Sequence, residues 1–479
     1  MTVSLPSPNS PSDRPSGLQY LVWLVAGMGL GLAVAKWGNP SILAFLVEPP
    51  ENLAKWIFFP WPLRWGYVWT WLAGGLAFLL WLHHRRLAAN MPHPSRTQAA
   101  QAQSRSKQKG AQEGSTLQGG LLSRLSHSRW LIVLPFGWFG WVLLSALGAQ
   151  EPKLTHWVLP HLTAVVVWFA VGAWALDGIQ DVRQARWFWW PILIGLAFAL
   201  EYGLQQHFGG LERVREQVMS RPGWQNLPAE YLERLEKGRI FGTLFYPNTF
   251  AGVLLLLGPT IGWFLWEVGR FWHRWLGLGM AGLWTVTCLA CFYWTQSKAG
   301  WLLLLGLMGL VILRMERFRR WRWVLVVGIG VVGLAAFAWR FAGYFQKGAT
   351  SLGARWTYWK VAAEVAVEHP LLGVGPNGFQ REYARRRPPN AEPTRLVHND
   401  YLQQACDSGF PAALLYAALW WIPLWVRRPR PHEGPMPLLV WLGLLAYALH
   451  SFLEFHLYIP GIAWPAFAFL GWFLTRSDS

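Results

Sequence analysis

The segment RLVHNDYLQQACDSG, residues 395–409, places an arginine, a histidine, an asparagine and an aspartate directly before the apolar run FPAALLYAALWWIPLWV. Asn399 or His398 can cap a short helix running to about Ser408, and Asp400 suits its first turn, where a carboxylate meets the positive helix end. Gly409 fits the position just past that helix, and Pro411 fits the first turn of the next one. A histidine at a helix start, with Arg395 three residues before it, lies where positive potential favours neutral imidazole, the form a general base needs. The competing reading is a histidine that only caps the helix. No metal-ligand spacing accompanies it, because His450 and His456 are i, i+6 and Glu454 forms a lone i, i+4 pair with His450.

Three further clusters carry charge beside apolar runs. In GRIFGTLFYPNTFAG (238–252), Arg239 is a cation, and Tyr246-Pro247-Asn248 reads as a turn that starts a helix, with Asn248 either a cap or a polar contact. In WTQSKAGW (294–301), Lys298 sits at a break between two apolar runs, where it could snorkel to the interface or hold a phosphate as a point charge. In LGARWTYWKVAAEVAVEHPLLGVGPNGF (352–379), Arg355 opens an amphipathic helix whose apolar positions 358, 359, 362 and 365 predict a helix on the membrane surface. Pro370 ends that helix. Gly373 to Gly378 then matches G-x-G-x-x-G, but it follows a helix and precedes no clear one, so it reads as a turn with unusual backbone angles and not as a dinucleotide site. The run Arg385-Arg386-Arg387 reads as a contact to headgroups or to a diphosphate, or as a solvated loop.

The elements that must position these residues are membrane helices. Of the 479 residues, 53% are hydrophobic and 14% charged, too few charges to keep such a chain dispersed in water. The apolar runs predict an all-α bundle of about twelve spans. They fall near 18–38, 63–82, 130–149, 158–176, 187–205, 250–268, 275–296, 299–314, 323–340, 410–426, 437–453 and 459–475. The 36 tryptophans fit a chain that crosses the membrane–water interface many times. Cys288 and Cys291 lie within an apolar run, where thiols act as small hydrophobes, and Cys406 is a lone thiol, so no disulfide framework is expected.

The net charge of +18 has three ordinary sources here: cytoplasmic anchoring, contact with anionic membrane lipids, and an anionic ligand. The basic low-complexity stretch lacks the aromatic interleaving of a nucleic-acid platform, so no nucleic-acid partner is expected. RMERFRRWR (314–322), RRPRPHEG (427–434) and the segment beginning His83-His84-Arg85-Arg86 alternate to one side, which the positive-inside rule makes cytoplasmic. The expected organisation is a disordered cytoplasmic N-terminus (1–17), two N-terminal spans (18–82), a low-complexity basic cytoplasmic linker (83–129), a membrane core (130–475) and a short cytoplasmic tail (476–479). The core carries long loops at 206–249 and 341–409 on the opposite side. Glu201, Lys298, His450, Glu454 and His456 all map to that side's boundary, not to a midplane where a transporter would build its site.

The order G-x-L-F-x-P-N-x-F-A, T-Q-S-K-A-G, R-W-x-x-W…H-P-L-L-G-V-G-P-N-G-F and H-N-D-Y-L-Q-Q-x-x-D-S-G resembles the O-antigen ligase and O-antigen polymerase superfamily, over about 238–475. The resemblance implies an inverting glycosyltransferase of the GT-C type in the bacterial inner membrane, with a large helical periplasmic loop and no cofactor or metal. It implies an undecaprenyl-diphosphate-linked glycan donor, and a lipid A core sugar, a growing polysaccharide or a protein hydroxyl as acceptor. The family's periplasmic histidine falls on His398 and the arginine heading that loop's first helix on Arg355. Its serine–arginine pair falls on Ser297 and Lys298, with lysine in place of arginine. Arg355, Lys298, Arg239 and Arg395 would then hold the diphosphate, His398 would activate the hydroxyl, and Asn248, Asn399 and Glu454 would support them. A polysaccharide polymerase of the same family, an anion or solute transporter and a non-catalytic scaffold are the competing readings.

Overall fold

Each predicted apolar run forms a helix, and the ends are set by local chemistry. The computed structural model describes residues 15–89, 129–220, 223–224, 238–346, 350–430 and 433–476, and these contain helices, turns and loops but no strand. Residues 1–14 of the expected disordered N-terminus, most of the basic linker and the last three residues of the tail lie outside the described residues, while Ser16 and Gly17 already belong to the start of α1. The helices are α1 (Gly17–Lys36), α2 (Leu53–Phe58), α3 (Leu63–Ala89), α4 (Leu134–Leu147), α5 (Pro152–Ala175), α6 (Arg186–Gln205), α7 (Leu211–Met219), α8 (Pro247–Trp272) and α9 (Arg274–Thr295). After these come α10 (Lys298–Arg314), α11 (Arg322–Arg340), α12 (Ala342–Gln346), α13 (Thr350–Glu368), α14 (Phe379–Arg386), α15 (Asp400–Val426), α16 (Pro435–His450) and α17 (Pro460–Thr475). Ser16, Asn52, Ser297 and Asn399 cap α1, α2, α10 and α15 through their side chains, each such cap stabilising by about 1 kcal/mol. The helix α3 continues to Ala89, into the stretch expected to be linker.

Nine of the described helices are long and apolar enough to cross a membrane, so the chain is a polytopic helical membrane protein. The helices α10, α16 and α17 have 17, 16 and 16 residues, short of the roughly 20 needed to span a free bilayer. The helix α17 is enclosed by protein along nearly all its length, with α5 packed along it. At the other extreme no residue of α11 is buried, and Val324, Val327, Val331 and Val332 are exposed. The helices α1 and α6 approach closely because Gly31 and Gly195 meet, so that a Cβ on either would run into the other helix's backbone.

The tryptophans divide between two roles. Trp23, Trp37, Trp138, Trp168, Trp189, Trp420, Trp464 and Trp472 are fully buried, so much of the tryptophan packs the core and does not mark the interface. Trp187, Trp272, Trp275, Trp321, Trp323 and Trp339 are exposed at helix ends, where an interfacial belt belongs. The arginine-rich loops meet at one end of the bundle: Arg314 donates to Pro429 O at 3.0 Å, Arg427 to Arg476 O at 3.2 Å, and Arg476 pairs with Glu433 at 2.5 Å.

The opposite end holds the long loop 341–409, which is helical and has its own small core. Tyr358, Val361, Ala362 and Val365 of α13 pack on Val374, Phe379, Tyr383, Val397 and Cys406. The apolar stripe expected to lie on the membrane surface is therefore covered by the loop itself, while Leu352, Trp356 and Val367 on the same helix are exposed. The three cysteines are free thiols.

Candidate active site

Four chain segments converge on Glu454, in the turn between α16 and α17. Asn248 is the second residue of α8, a helix that starts with Tyr246 as cap and Pro247 in its first turn. Its amide donates to Glu454 Oε1 at 2.5 Å and accepts from Arg239 Nη2 at 2.9 Å. Asn248 is thus a linker and not the helix cap. Arg239 also donates through Nε to Thr295 O at 2.9 Å, at the end of α9. From α13, Arg355 Nη2 donates to the same Glu454 Oε1 at 2.6 Å. The helix begins at Thr350, so Arg355 lies in its second turn and does not head it.

His398 completes the cluster from the start of α15. Its Nδ1 lies 3.7 Å from Glu454 Oε2, too long for a hydrogen bond. The ring packs edge-on to Phe455 at 4.6 Å and near Tyr358 at 5.8 Å. The charged neighbour of His398 is Glu454, whereas Arg395, expected beside it, is exposed. Asn399 caps α15 by accepting from Leu402 N at 3.0 Å. The segment is stitched to the Glu454 turn on both sides: Asp400 N donates to Ser451 O at 2.8 Å and Leu457 N donates to Asp400 Oδ2 at 3.0 Å.

Glu454 is 3% exposed. Burial works to raise its pKa, and the Arg355 guanidinium together with His398 overcomes that and holds the carboxyl below its ordinary range. Three residues around the cluster adopt left-handed backbone: Phe245 at φ 60°, Gln296 at φ 51° and His398 at φ 55°. Such strain costs about 1–2 kcal/mol per non-glycine residue and gathers at functional sites.

The glycine-rich turn is tied to α15 by Asp407. Its carboxylate accepts from Asn377 N at 2.9 Å, Phe379 N at 3.0 Å and Gln403 Nε2 at 2.8 Å. Gly373 and Asn377 take left-handed angles, as the turn reading expects. A helix does follow the motif, contrary to expectation: α14 begins at Phe379, capped by Asp407 from a distant helix and not by a local residue. At Gly409 the backbone of α15 breaks (φ 81°, ψ 171°), and a Cβ there would strike Leu371 O.

Lys298, first residue of α10, lies over the Tyr344 ring at 3.9 Å and the Phe341 ring at 5.3 Å. Arg386 is committed to structure, pairing with Glu368 at 2.6 Å and Glu382 at 2.9 Å. Arg387 donates to Ala391 O at 2.9 Å, and Arg385 is largely exposed. His450 and His456 are buried close to Glu454, with ring centroids 4.6 Å apart. Among the described residues no group of three or more His, Cys, Asp or Glu is placed to hold a metal ion.

The part of the sequence that carries His398, Arg355 and Lys298 also matches a known family. Residues 283–417 match the family model described as O-antigen ligase, while Arg239, Asn248 and Glu454 lie outside the matched stretch. No curated protein matches the chain. The chain is thus a polytopic helical membrane protein whose residues 283–417 are similar to the O-antigen ligase family, which supports the resemblance to the O-antigen ligase and polymerase superfamily.

Proposed function

We propose that the chain moves a glycan from an undecaprenyl-diphosphate carrier to an acceptor hydroxyl, of a lipid A core sugar or a similar acceptor, on the periplasmic face of the bacterial inner membrane. In this reading all twelve apolar helices cross the membrane in a GT-C-like bundle, the arginine-rich end is cytoplasmic, and the Glu454 end faces the periplasm. The observation that carries it is the gathering of Arg239, Asn248, Arg355 and His398 around one buried carboxylate.

The chemistry follows from these contacts. Arg355 pairs directly with Glu454, and Arg239 is linked to it through Asn248, so two cations are held at one site. Arg355 Nε is buried without a hydrogen-bond partner, a donor available to a phosphate oxygen. Lys298 adds a point charge from the N-terminus of α10, an end that favours anions. With Nδ1 turned to Glu454, Nε2 of His398 is the atom that takes the acceptor proton. The acceptor oxygen bonds to the anomeric carbon as that carbon's bond to the diphosphate oxygen breaks. The diphosphate leaves with the electron pair, and the proton goes to His398. One displacement inverts the anomeric centre and needs no protein nucleophile. Guanidiniums fixed before the reaction stabilise the charge that builds on the leaving group.

The test is transfer by the purified protein in lipid nanodiscs, supplied with a lipid-diphosphate glycan and a panel of lipid A core, polysaccharide and peptide acceptors. Wild type should transfer to one of them, and His398→Ala and Arg355→Ala should each lose about 100-fold or more. Equal transfer by all three proteins sinks the assigned roles, and no transfer to any acceptor sinks the reaction.

A further inference from the structure

We infer that a cleft between the first loop at the Glu454 end and Phe245 is a saccharide subsite, which holds the sugar part of a substrate while the guanidiniums hold the diphosphate. The inference rests on the transfer reading for its role and on separate residues for its chemistry. The cleft has a volume of about 360 Å³, at the lower end of small-ligand sites. Residues 39–60 form most of its wall, and Phe245 closes it from the strained turn before α8.

The loop is built to keep its shape. Lys36, buried at the end of α1, donates to the carbonyls of Trp56 at 3.1 Å, Phe59 at 3.4 Å and Ile57, clasping the last turn of α2. Its ammonium also lies over the Phe198 ring at 4.7 Å. Pro49, Pro50 and Pro60 line the cleft and reduce the freedom lost on binding. The cleft is also joined to the base. Phe245 contacts Tyr246 at 5.2 Å, Tyr246 contacts Phe455 at 5.1 Å, and Phe455 contacts His398 at 4.6 Å. Three ring contacts therefore connect the cleft to the imidazole, within reach of a short oligosaccharide.

The lining selects the ligand class. Glu48, Glu51 and Asn39 are its polar groups besides Lys55, whose charge is matched by Glu51 at 2.7 Å. The remaining carboxylate, Glu48, disfavours a phosphate and accepts hydrogen bonds from hydroxyls. Leu46, Pro49, Phe59 and Phe245 offer flat apolar surface to the C–H faces of a sugar ring. A polyprenyl chain would cover Glu48 and Asn39 without giving them partners, which is costly. The same chemistry fits the glycan of the donor or that of the acceptor.

The test measures binding to the full chain in nanodiscs by saturation-transfer NMR, with three probes: the repeat-unit oligosaccharide released from the lipid carrier, the core oligosaccharide released from the acceptor lipid, and undecaprenyl phosphate. One of the two oligosaccharides should bind saturably, identifying the source, and Glu48→Arg and Asn39→Ala should weaken it roughly tenfold. In the transfer assay the same variants should raise KM for that substrate by a similar factor, with kcat falling far less. Binding of undecaprenyl phosphate alone, no saccharide binding, or saccharide binding indifferent to both substitutions overturns the subsite. If His398→Ala stops turnover while the cleft variants behave as wild type, the subsite fails and the transfer reading stands. Saccharide binding lost in the variants of a protein that transfers to no acceptor leaves the subsite standing and the transfer reading refuted.

Discussion

Arg355 Nη2 donates to Glu454 Oε1 at 2.6 Å, and the other oxygen of that carboxylate lies 3.7 Å from His398 Nδ1. One buried acid therefore positions both the residue proposed to hold the leaving group and the residue proposed to take the proton. Glu454→Gln keeps the shape and removes the charge. Transfer should fall by about 100-fold or more in kcat with donor KM unchanged or lower, because the freed guanidinium still binds phosphate while His398 loses its orienting partner. A raised KM with unchanged kcat would put Glu454 on the binding side only. The folded protein should also lose about 3–5 kcal/mol, as when one partner of a buried pair is removed. The pH sign follows from the lowered folded pKa of Glu454. Its stabilisation is complete above the free carboxyl value of about 4.3 and is lost only as pH falls towards the folded value. Melting curves of wild type and Glu454→Gln should keep a constant separation from pH 8 to about 5 and converge below that.

Asn248 carries the connection from Arg239 to Glu454, at 2.9 and 2.5 Å. Asn248→Asp would set a second carboxylate against the first, and two such groups cannot both ionise without penalty, so one pKa rises. The variant should be impaired at pH 7.5 and recover partly towards pH 5.5, as the shared proton restores a donor between the two acids. A pH–rate profile parallel to that of wild type would show that Asn248 does not touch a working Glu454.

His398 has φ 55°, a conformation that asparagine tolerates better than alanine. His398→Asn should melt close to wild type, and His398→Ala should melt lower by about 1 kcal/mol of added strain. Both should lose turnover by about 10²–10⁴-fold. Retained activity in the asparagine variant would reduce His398 to a backbone element of the turn.

The span pattern was legible because each run is long and continuous, and the break at Gly409 was legible because glycine and Pro411 punctuate it locally. The helix α14 was not, since its cap is Asp407, 28 residues away from Phe379. Glu454 could be placed at the membrane boundary, but its contacts reach back 206 residues to Asn248 and 99 to Arg355. Nothing local to SFLEFH specifies those partners. For α13 the apolar stripe was real, yet a stripe states only that a cover exists. Here the cover is Val374, Phe379 and Tyr383, not lipid alone.

Lys298 tests how far the diphosphate site extends beyond Glu454. Its ammonium rests over Tyr344 at 3.9 Å, an attraction of roughly 0.5–2 kcal/mol that a dianionic phosphate can outbid. Lys298→Ala should raise donor KM about tenfold through loss of one charge–phosphate contact of about 1.5–3 kcal/mol. Lys298→Arg should keep or improve donor KM, because guanidinium offers two parallel donors where ammonium offers a point charge. Tyr344→Leu should lower donor KM by removing that competing attraction. If all three variants leave donor KM unchanged, Lys298 serves the aromatic contact and the helix end, and the diphosphate is held by the arginines alone.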